Sequence, residues 1–393
     1  DYTILNEGKI ILNSELKNVG IYGETDKNVN HTLTLENKKL IKINNGSKQS
    51  VGIFAVNDNT NDKDKLLVVN TKDGRIIADS EESIGISAEK SKVENSGIIT
   101  MKNKASAGIY GKSGSEVTNK NKITIEEKSS AGIYLEDSSA LNETTGKITV
   151  KKGASAGIYG KYSKTNTTNY TIENEGIITL KETSGENKSA GIYGELENGG
   201  TGKLTITNNN QIKVNMKESV GIYAKNSSSN GKENLIVNNS GTIVTSKEES
   251  VGIFGEKATV TNNKTVEVNG KESIGIFGKS GSEIKNISIN EGIKVVGKNS
   301  TGMYATDSGT TGENTGKIVL SGENTTGIGA SDSASITNKN EISGTVKNVI
   351  GMYGKGSGTN VINIKNINLS KENSTGIFTK DDAVAKNETG ANI

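Results

Sequence analysis

The sequence predicts an all-β fold, a parallel β-helix of about fourteen coils with three short strands per coil. Three observations predict it: a glycine-centred motif that returns at a nearly fixed interval, alternation of period two between its copies, and a composition without proline. The chain has 393 residues, of which 31% are hydrophobic and 4% aromatic, and it contains no proline, cysteine or tryptophan. At ordinary usage a chain this long carries about 20 prolines, so their absence implies backbone N–H groups engaged in ladders almost throughout. Without a thiol, zinc ribbons, disulfide scaffolds, iron–sulfur centres and thiol enzymes are excluded.

The motif Ser-Ala-Gly-Ile-Tyr-Gly, or a close variant, occurs fourteen times. Its central glycines are Gly20, Gly52, Gly85, Gly108, Gly132, Gly157, Gly191, Gly221, Gly252, Gly275, Gly302, Gly327, Gly351 and Gly376. Successive spacings are 32, 33, 23, 24, 25, 34, 30, 31, 23, 27, 25, 24 and 25 residues. The floor of 23 to 25 is one coil, and five longer units carry insertions. Ile follows every one of these glycines except where Met303 and Met352 replace it. Such fixed phase separates the chain from low-complexity disorder.

The second half of each unit is an apolar residue, an asparagine, a short turn and an alternating strand. Val117-Thr118-Asn119 leads to Ile123-Thr124-Ile125, and Ile172-Glu173-Asn174-Glu175-Gly176 leads to Ile177-Ile178-Thr179. Three strands and three turns fit one coil in which each strand pairs with its equivalents above and below. Leucine-rich repeats need a leucine framework that is missing, and no 3.6-residue stripe supports a helical repeat. Alternation places Ile109, Ile123, Ile125, Ala107 and Val117 inside and Thr124 outside. The column Asn119, Asn142, Asn174, Asn208, Asn262 and Asn338 is expected to form an inward amide ladder, which accounts for the 49 asparagines. Fourteen coils at about 4.8 Å give a rod of roughly 65 to 70 Å. Ile4–Ile10 and Asn387–Gly390 repeat the same half-unit. Residues 1–393 are therefore expected to be a single β-helix segment of a longer stack, cut within a coil at both ends.

The 47 basic and 45 acidic residues give a net charge of +2 and are interspersed rather than gathered into blocks. Arg75 is the single arginine. Both facts argue against a nucleic-acid partner. No apolar run approaches the ~18 residues of a membrane span, and the first residues lack a signal-peptide layout.

Two surfaces are candidates for binding. Twelve of the fifteen aromatics stand two residues after the unit glycine: Tyr22, Phe54, Tyr110, Tyr134, Tyr159, Tyr193, Tyr223, Phe254, Phe277, Tyr304, Tyr353 and Phe378. Ser87 and Gly329 interrupt this column. If the preceding Ile is inside, the column is outside, either as a platform for sugars or a partner's apolar surface, or simply as stacked rings that stabilise the ladder. Insertions cluster just after the aromatic, at residues 161–169, 195–203 and 225–234, where solenoids often carry recognition loops. Tyr162 lies within the first of them and Tyr170 directly follows it. The candidate partner surface is accordingly Tyr110, Tyr134, Tyr159, Tyr162, Tyr170, Tyr193, Tyr223, Phe254 and Phe277.

Other chemistry finds little support. Gly108–Ser113 and Gly275–Ser280 end like a phosphate-binding loop, but Ser106 and Ser273 stand where its first glycine belongs and no helix is predicted to follow. Asp58, Thr60, Asp62 and Asp64 alternate like the start of a calcium loop without its glycine and closing glutamate. The one histidine, His31, has no nucleophile signature beside it. The carboxylate pairs Asp381-Asp382 and Glu248-Glu249 are neighbours that a strand would turn to opposite faces. No catalytic residue, cofactor or metal is assigned. An ice- or crystal-binding solenoid would need a flat threonine array, which the irregular outward positions disfavour.

Through Ser106-Ala107-Gly108-Ile109-Tyr110-Gly111 and its thirteen relatives, the chain resembles the passenger domain of type V autotransporters, in particular the large fusobacterial outer-membrane adhesins of the RadD kind. The resemblance covers essentially the whole chain. It implies, together with the unit length, a right-handed β-helix, and it implies export to the cell surface with anchoring by a C-terminal β-barrel that lies outside this sequence. It also implies adhesion to a surface protein or glycan of partner bacteria or host cells by a monomeric rod. A chain that crosses a periplasm unfolded is also well served by lacking cysteine. The expected role is a stalk that supports or contributes to cell–cell or host-cell adhesion, with repetition raising avidity. The alternative is a β-helical polysaccharide hydrolase or lyase, which would need three or more carboxylates converging on one face.

Overall fold

The computed structural model describes residues 1–58, 62–163, 167–181, 188–197 and 201–393. Among them are 43 strands and two three-residue 3-10 helices, Lys63–Lys65 and Lys232–Asn234. The strands fall into three sets of 15, 14 and 14, with each coil supplying one strand to each set in turn, so the fold is a parallel β-helix. Two compact units divide the chain, Asp1–Gly194 and Glu195–Ile393.

In the first unit the first sheet runs in sequence order from Tyr2–Asn6 through Leu33–Asn37 to Tyr170–Asn174. The second runs from Lys9–Leu12 to Ile177–Lys181, and the third from Val19–Thr25 through Val51–Asn57 and onward. Register is fixed coil by coil: Val93 faces Val117, Ile99 faces Ile123 and Ile109 faces Ile133. The second unit repeats the plan, its first sheet running from Leu204–Asn208 to Val384–Asn387. Inward Ile, Val and Leu of the three sheets form a thin continuous core in each unit, including Ile109, Ile123, Ile125 and Val117.

Period-two alternation breaks at one place, the unit glycine. Ala107 pairs with Ala131 and Ile109 with Ile133, but Gly108 is skipped in the ladder. Both Gly108 and Ile109 turn inward, because the chain bends there into the third sheet. A Cβ on Gly108 would lie 2.6 Å from the Gly132 carbonyl oxygen and 2.9 Å from Ile123 Cγ2. No side chain fits, which explains why glycine recurs at this position. The extra inward step corrects the expectation for Ala107, which faces outward and is half-buried. Thr124 also departs from expectation: it lies on the outward side between Thr100 and Thr149, yet it is buried. Equivalent side chains stand only about 4.8 Å apart along the column, close enough to shield a β-branched residue.

The asparagine ladder is present in both units and is longer than expected. Asn6, Asn37, Asn70, Asn95, Asn119, Asn142 and Asn174 are linked by amide-to-amide bonds of 2.7 to 2.8 Å, each Nδ2 donating to Oδ1 of the following coil. Asn208, Asn239, Asn262, Asn286, Asn314, Asn338, Asn363 and Asn387 form the second run at 2.7 to 2.9 Å. The second amide proton often reaches the turn, as in Asn119 Nδ2 to Asn121 O at 2.9 Å. A saturated ladder lets polar side chains replace apolar volume without unpaired groups.

A serine ladder accompanies it. The hydroxyl of Ser130 accepts from the Ser106 backbone N–H at 3.0 Å and donates to the Lys128 carbonyl at 3.0 Å. Ser106, Ser155, Ser250, Ser273 and Ser300 repeat this arrangement. Each serine follows a residue with left-handed backbone, three positions before the unit glycine, and this conformation recurs in all fourteen coils from Lys17 to Asn373. Six residue types, Lys, Gln, Glu, Ala, Ser and Asn, occupy this corner, so stacking of the coils rather than the side chain sets its conformation.

Candidate functional site

Each aromatic of the column extends outward from the third sheet because it follows the inward Ile or Met. In the first unit the register aligns Tyr110 with Tyr134 and Tyr134 with Tyr159. Ring centroids along Tyr110, Tyr134, Tyr159 and Tyr193 are 5.3, 5.0 and 4.8 Å apart, and the last two pairs are nearly parallel, at 11° and 6°. In the second unit Tyr223 stacks on Phe254 at 4.6 Å and 10°, while Phe277 meets Phe254 edge-on at 5.0 Å and 86°. Lys279 Nζ lies 5.5 Å from the Phe254 centroid. All of these rings are half-buried.

The geometry decides what the column can offer. In the parallel stacks each ring covers its neighbour's face, so edges and phenol oxygens meet solvent. Sugars pack on open aromatic faces, and the parallel stacks present few of them. The phenols are also engaged: Tyr110 donates to Glu136 Oε2 at 2.6 Å and Tyr134 to Glu136 Oε1 at 3.3 Å. Burial, aided by the Glu136 carboxylate, pushes the Tyr110 phenol well above its usual range. Burial also raises Tyr223 and Tyr304. At the gap in the second unit a Cβ on Gly329 would lie 2.6 Å from the Tyr304 ring, so that ring fills the place of the missing one. Ser87, at the other gap, is buried.

Tyr162 is not part of this surface. The Ala156–Tyr162 strand continues one residue further than Ala131–Glu136 of the preceding coil, so Tyr162 lies in the core with 2% exposure and donates to the Ser138 carbonyl at 3.0 Å. Burial raises its phenol well above the usual value. Tyr170, half-buried, packs a ring against it at 5.3 Å. Of the inserted corners, residues 164–166 and 198–200 lie outside the described residues. In the third, Asn226 Nδ2 donates to Gly231 O at 3.1 Å, and Asn226 Oδ1 accepts from Ser228 N at 2.9 Å.

The remaining sequence candidates separate. Asp62 caps the Lys63–Lys65 turn by accepting from Asp64 N at 2.9 Å, and Asp64 pairs with Lys92 at 2.7 Å; Thr60 lies outside the described residues. Among the described residues no three His, Cys, Asp or Glu side chains are grouped to hold a metal. Ser113 and Ser280 occupy left-handed corners after strands. Asp381 and Asp382 form a left-handed turn and Glu249 a left-handed corner, so neither carboxylate pair lies on a strand. Glu248 bonds Lys217. His31 packs edge-on against Tyr2 at 4.8 Å. Outward carboxylates commonly pair with lysines one coil away, as Glu89 with Lys112 at 2.8 Å, Glu126 with Lys151 at 2.7 Å and Glu313 with Lys339 at 2.7 Å.

Sequence reasoning missed the serine ladder and the role of Glu136. The serine column was visible beside the unit glycine; Glu136 carried no signal, because other coils place Lys or Glu there. No protein family matches the chain, and neither the curated proteins nor the solved structures include a significant match to it.

Proposed function

We propose that the chain is a shaft segment of a surface-displayed adhesin of the autotransporter passenger type, a stiff element that supports adhesion to partner bacteria or host cells. One observation carries this reading: apart from the stacked aromatic column, what recurs from coil to coil is internal. The asparagine amides bond one another, the serine hydroxyls bond backbone, and the unit glycines face neighbouring carbonyls. The other outward positions vary, and their carboxylates are commonly neutralised by lysines of the next coil. A sequence that repeats its scaffold and varies its surface serves reach and stiffness rather than one reaction centre. The motif resemblance supplies the setting at the outer membrane.

The test is titration of the labelled 393-residue chain onto bacteria and host cells with competing sugars and amino acids, with release of reducing ends from polysaccharides measured in parallel. Saturable, competable binding without release is the expected result. Polysaccharide cleavage in the absence of cell binding would overturn the reading in favour of a hydrolase or lyase.

A further inference from the structure

We infer that a cleft at the corner between the first and second sheets of the unit Asp1–Gly194 binds an anionic sugar of an acidic polysaccharide. This goes beyond the shaft reading and does not depend on it.

The cleft arises from a difference in turn length. In the first two coils the turn has two residues, Glu7-Gly8 and Lys38-Lys39, between strands ending at Asn6 and Asn37 and strands starting at Lys9 and Leu40. In the third coil it has four, Thr71-Lys72-Asp73-Gly74. The longer turn is closed by Gly74 N donating to Thr71 O at 2.8 Å. It hangs from the coil beneath by Thr71 N and Oγ1, which donate to Asn37 O at 3.0 and 3.1 Å. Its overhang leaves a space of about 400 Å³ lined by Glu7, Lys38, Lys39, Thr71, Lys72 and Asp73.

Lys39 and Lys72 are exposed, and among the described residues neither has a carboxylate within ion-pairing distance. Arg75 follows directly, its backbone N–H on the Lys39 carbonyl at 2.7 Å and its exposed side chain likewise without a carboxylate partner among the described residues. Lys38 reaches Glu7 only at 3.4 Å. Three lysines thus line a concave site with two carboxylates, and Arg75 adds a fourth cation beside it; low-dielectric walls strengthen the field.

The same overhang occurs once more in this unit with different charge. The turn of residues 143–146 is closed by Gly146 N on Glu143 O at 2.7 Å and tied down by Thr145 Oγ1 on Lys120 O at 2.6 Å. There Glu143 sits 3.8 Å from Lys120, which also bonds Glu94 at 2.8 Å. At this second turn Lys120 is compensated, although Lys147 beside it has no carboxylate partner among the described residues; at the Lys72 corner, by contrast, two unpaired lysines, Lys39 and Lys72, line a cleft.

The chemistry favours a sugar that bears a carboxylate or sulfate. The lysines that line the cleft attract such a group, and Arg75, next in sequence after the overhanging turn, offers a planar fork beside it. Glu7, Asp73 and the Thr71 hydroxyl are acceptors for ring hydroxyls, a feature a bare polyphosphate cannot use. No aromatic ring lines the cleft to stack a nucleobase. Its volume suits one or two sugar rings.

The experiment is calorimetric titration of the full chain at low salt with a heparin tetrasaccharide, a carboxylate-only hyaluronan tetrasaccharide, neutral dextran and a single-stranded DNA oligomer. Binding of one or both acidic oligosaccharides is expected, with no response to dextran. The triple variant Lys39→Ala, Lys72→Ala, Arg75→Ala should weaken it at least about tenfold. A matched triple variant at Lys120, Lys147 and Lys151, with equal charge loss beside the second overhang, should leave it within about twofold. Circular dichroism verifies that both variants fold, and Lys39→Arg, Lys72→Arg should retain binding. Equal weakening by the two triple variants, absence of oligosaccharide binding, or tighter binding of DNA would each overturn the proposal. Which acidic oligosaccharide binds separates sulfate from carboxylate recognition.

Discussion

Coils with and without insertions solve the same corner in opposite ways. In nine tight coils the ladder asparagine comes ten to twelve residues after the unit glycine, as from Gly85 to Asn95 and Gly302 to Asn314. In five inserted coils it comes seventeen or eighteen residues after, as from Gly20 to Asn37 and Gly52 to Asn70. The fifth residue after the glycine marks the difference. It is left-handed in every tight coil: Lys90, Ser113, Asp137, Lys257, Ser280, Asp307, Asp332, Gly356 and Asp381. The three shortest corners, at Lys90, Asp137 and Lys257, need only that residue, whereas longer tight corners add a second left-handed residue such as Gly114 or Ser333. In the inserted coils the same position, Thr25, Asn57, Tyr162, Leu196 or Asn226, stays extended and buried as the last rung of a seven-residue strand. Core columns are indifferent to this choice. Insertion lengthens the rung before leaving the ladder, so the asparagine of every coil still returns to register.

The largest expected effect tests that indifference. Asn119→Ala in a tight coil and Asn239→Ala in an inserted one each leave an amide N–H and an amide oxygen of adjacent coils without partners in the core. Each should cost about 3 kcal/mol, seen as lowered thermal stability with loss of hydrogen-exchange protection centred on the altered coil. Equal losses are expected; a loss confined to one coil class would break the comparison. Next in size are the unit glycines. Gly132→Ala would place a methyl 2.6 Å from Gly157 O and 2.7 Å from Ile148 Cγ2, and Gly221→Ala would meet Gly252 O at 2.5 Å and Ile243 Cγ2 at 2.8 Å. Both should destabilise by about 2 kcal/mol in the same assay.

At the fifth position the two classes should differ in sign. Lys257 holds a left-handed φ of 52° without being glycine, so Lys257→Gly relieves the Cβ conflict and should raise stability by roughly 0.5 kcal/mol. Asn57 is extended; it accepts from Thr25 Oγ1 at 2.7 Å and donates to Asp62 O and Lys90 O at 3.0 and 2.8 Å. Asn57→Gly should therefore cost about 1 to 2 kcal/mol. Differential denaturant midpoints of the two variants check this; the same sign in both would remove the physical basis of the distinction.

Much of this was legible before any coordinates, and the reasons are local. Ile123 and Ile125 alternate with period two, and Asn119 returns at a fixed phase, so strands, inward face and amide ladder follow from spacing alone. The corners were not legible, because left-handed backbone at Ala105, Ala154 and Glu249 is imposed by coil stacking on residues with no preference for it. Tyr162 was misplaced for the same reason: an inserted coil extends its third strand by one rung, and a residue read as loop becomes core. The aromatic column was found, but stacking angle, which decides whether ring faces are open, is absent from a sequence.

The smallest expected effect concerns charge pairs between coils. Glu94 and Lys120 join tight coils at 2.8 Å, and Glu195 and Lys225 join inserted ones at the same distance. The Lys120 ammonium, with help from the Ser96 hydroxyl, holds the Glu94 carboxyl below its usual range against the opposing effect of burial, and Glu94 in turn raises Lys120. Glu195 raises Lys225 in the same way. A depressed carboxyl contributes stability that is present above its unfolded value of about 4.3 and is lost as pH falls through the lower folded value. Both side chains of the Glu94 pair are more than a third exposed, so solvent limits the contribution to less than about 1 kcal/mol. Glu94→Gln should remove that increment at neutral pH and leave the variant and the parent equally stable once acid has protonated Glu94. Glu195→Gln should show a loss of similar size at neutral pH, since the pair bridges coils whose ladders are the same even though their corners differ. A loss above about 2 kcal/mol at either site would mean that the charge pairs, rather than the buried amides, hold successive coils together.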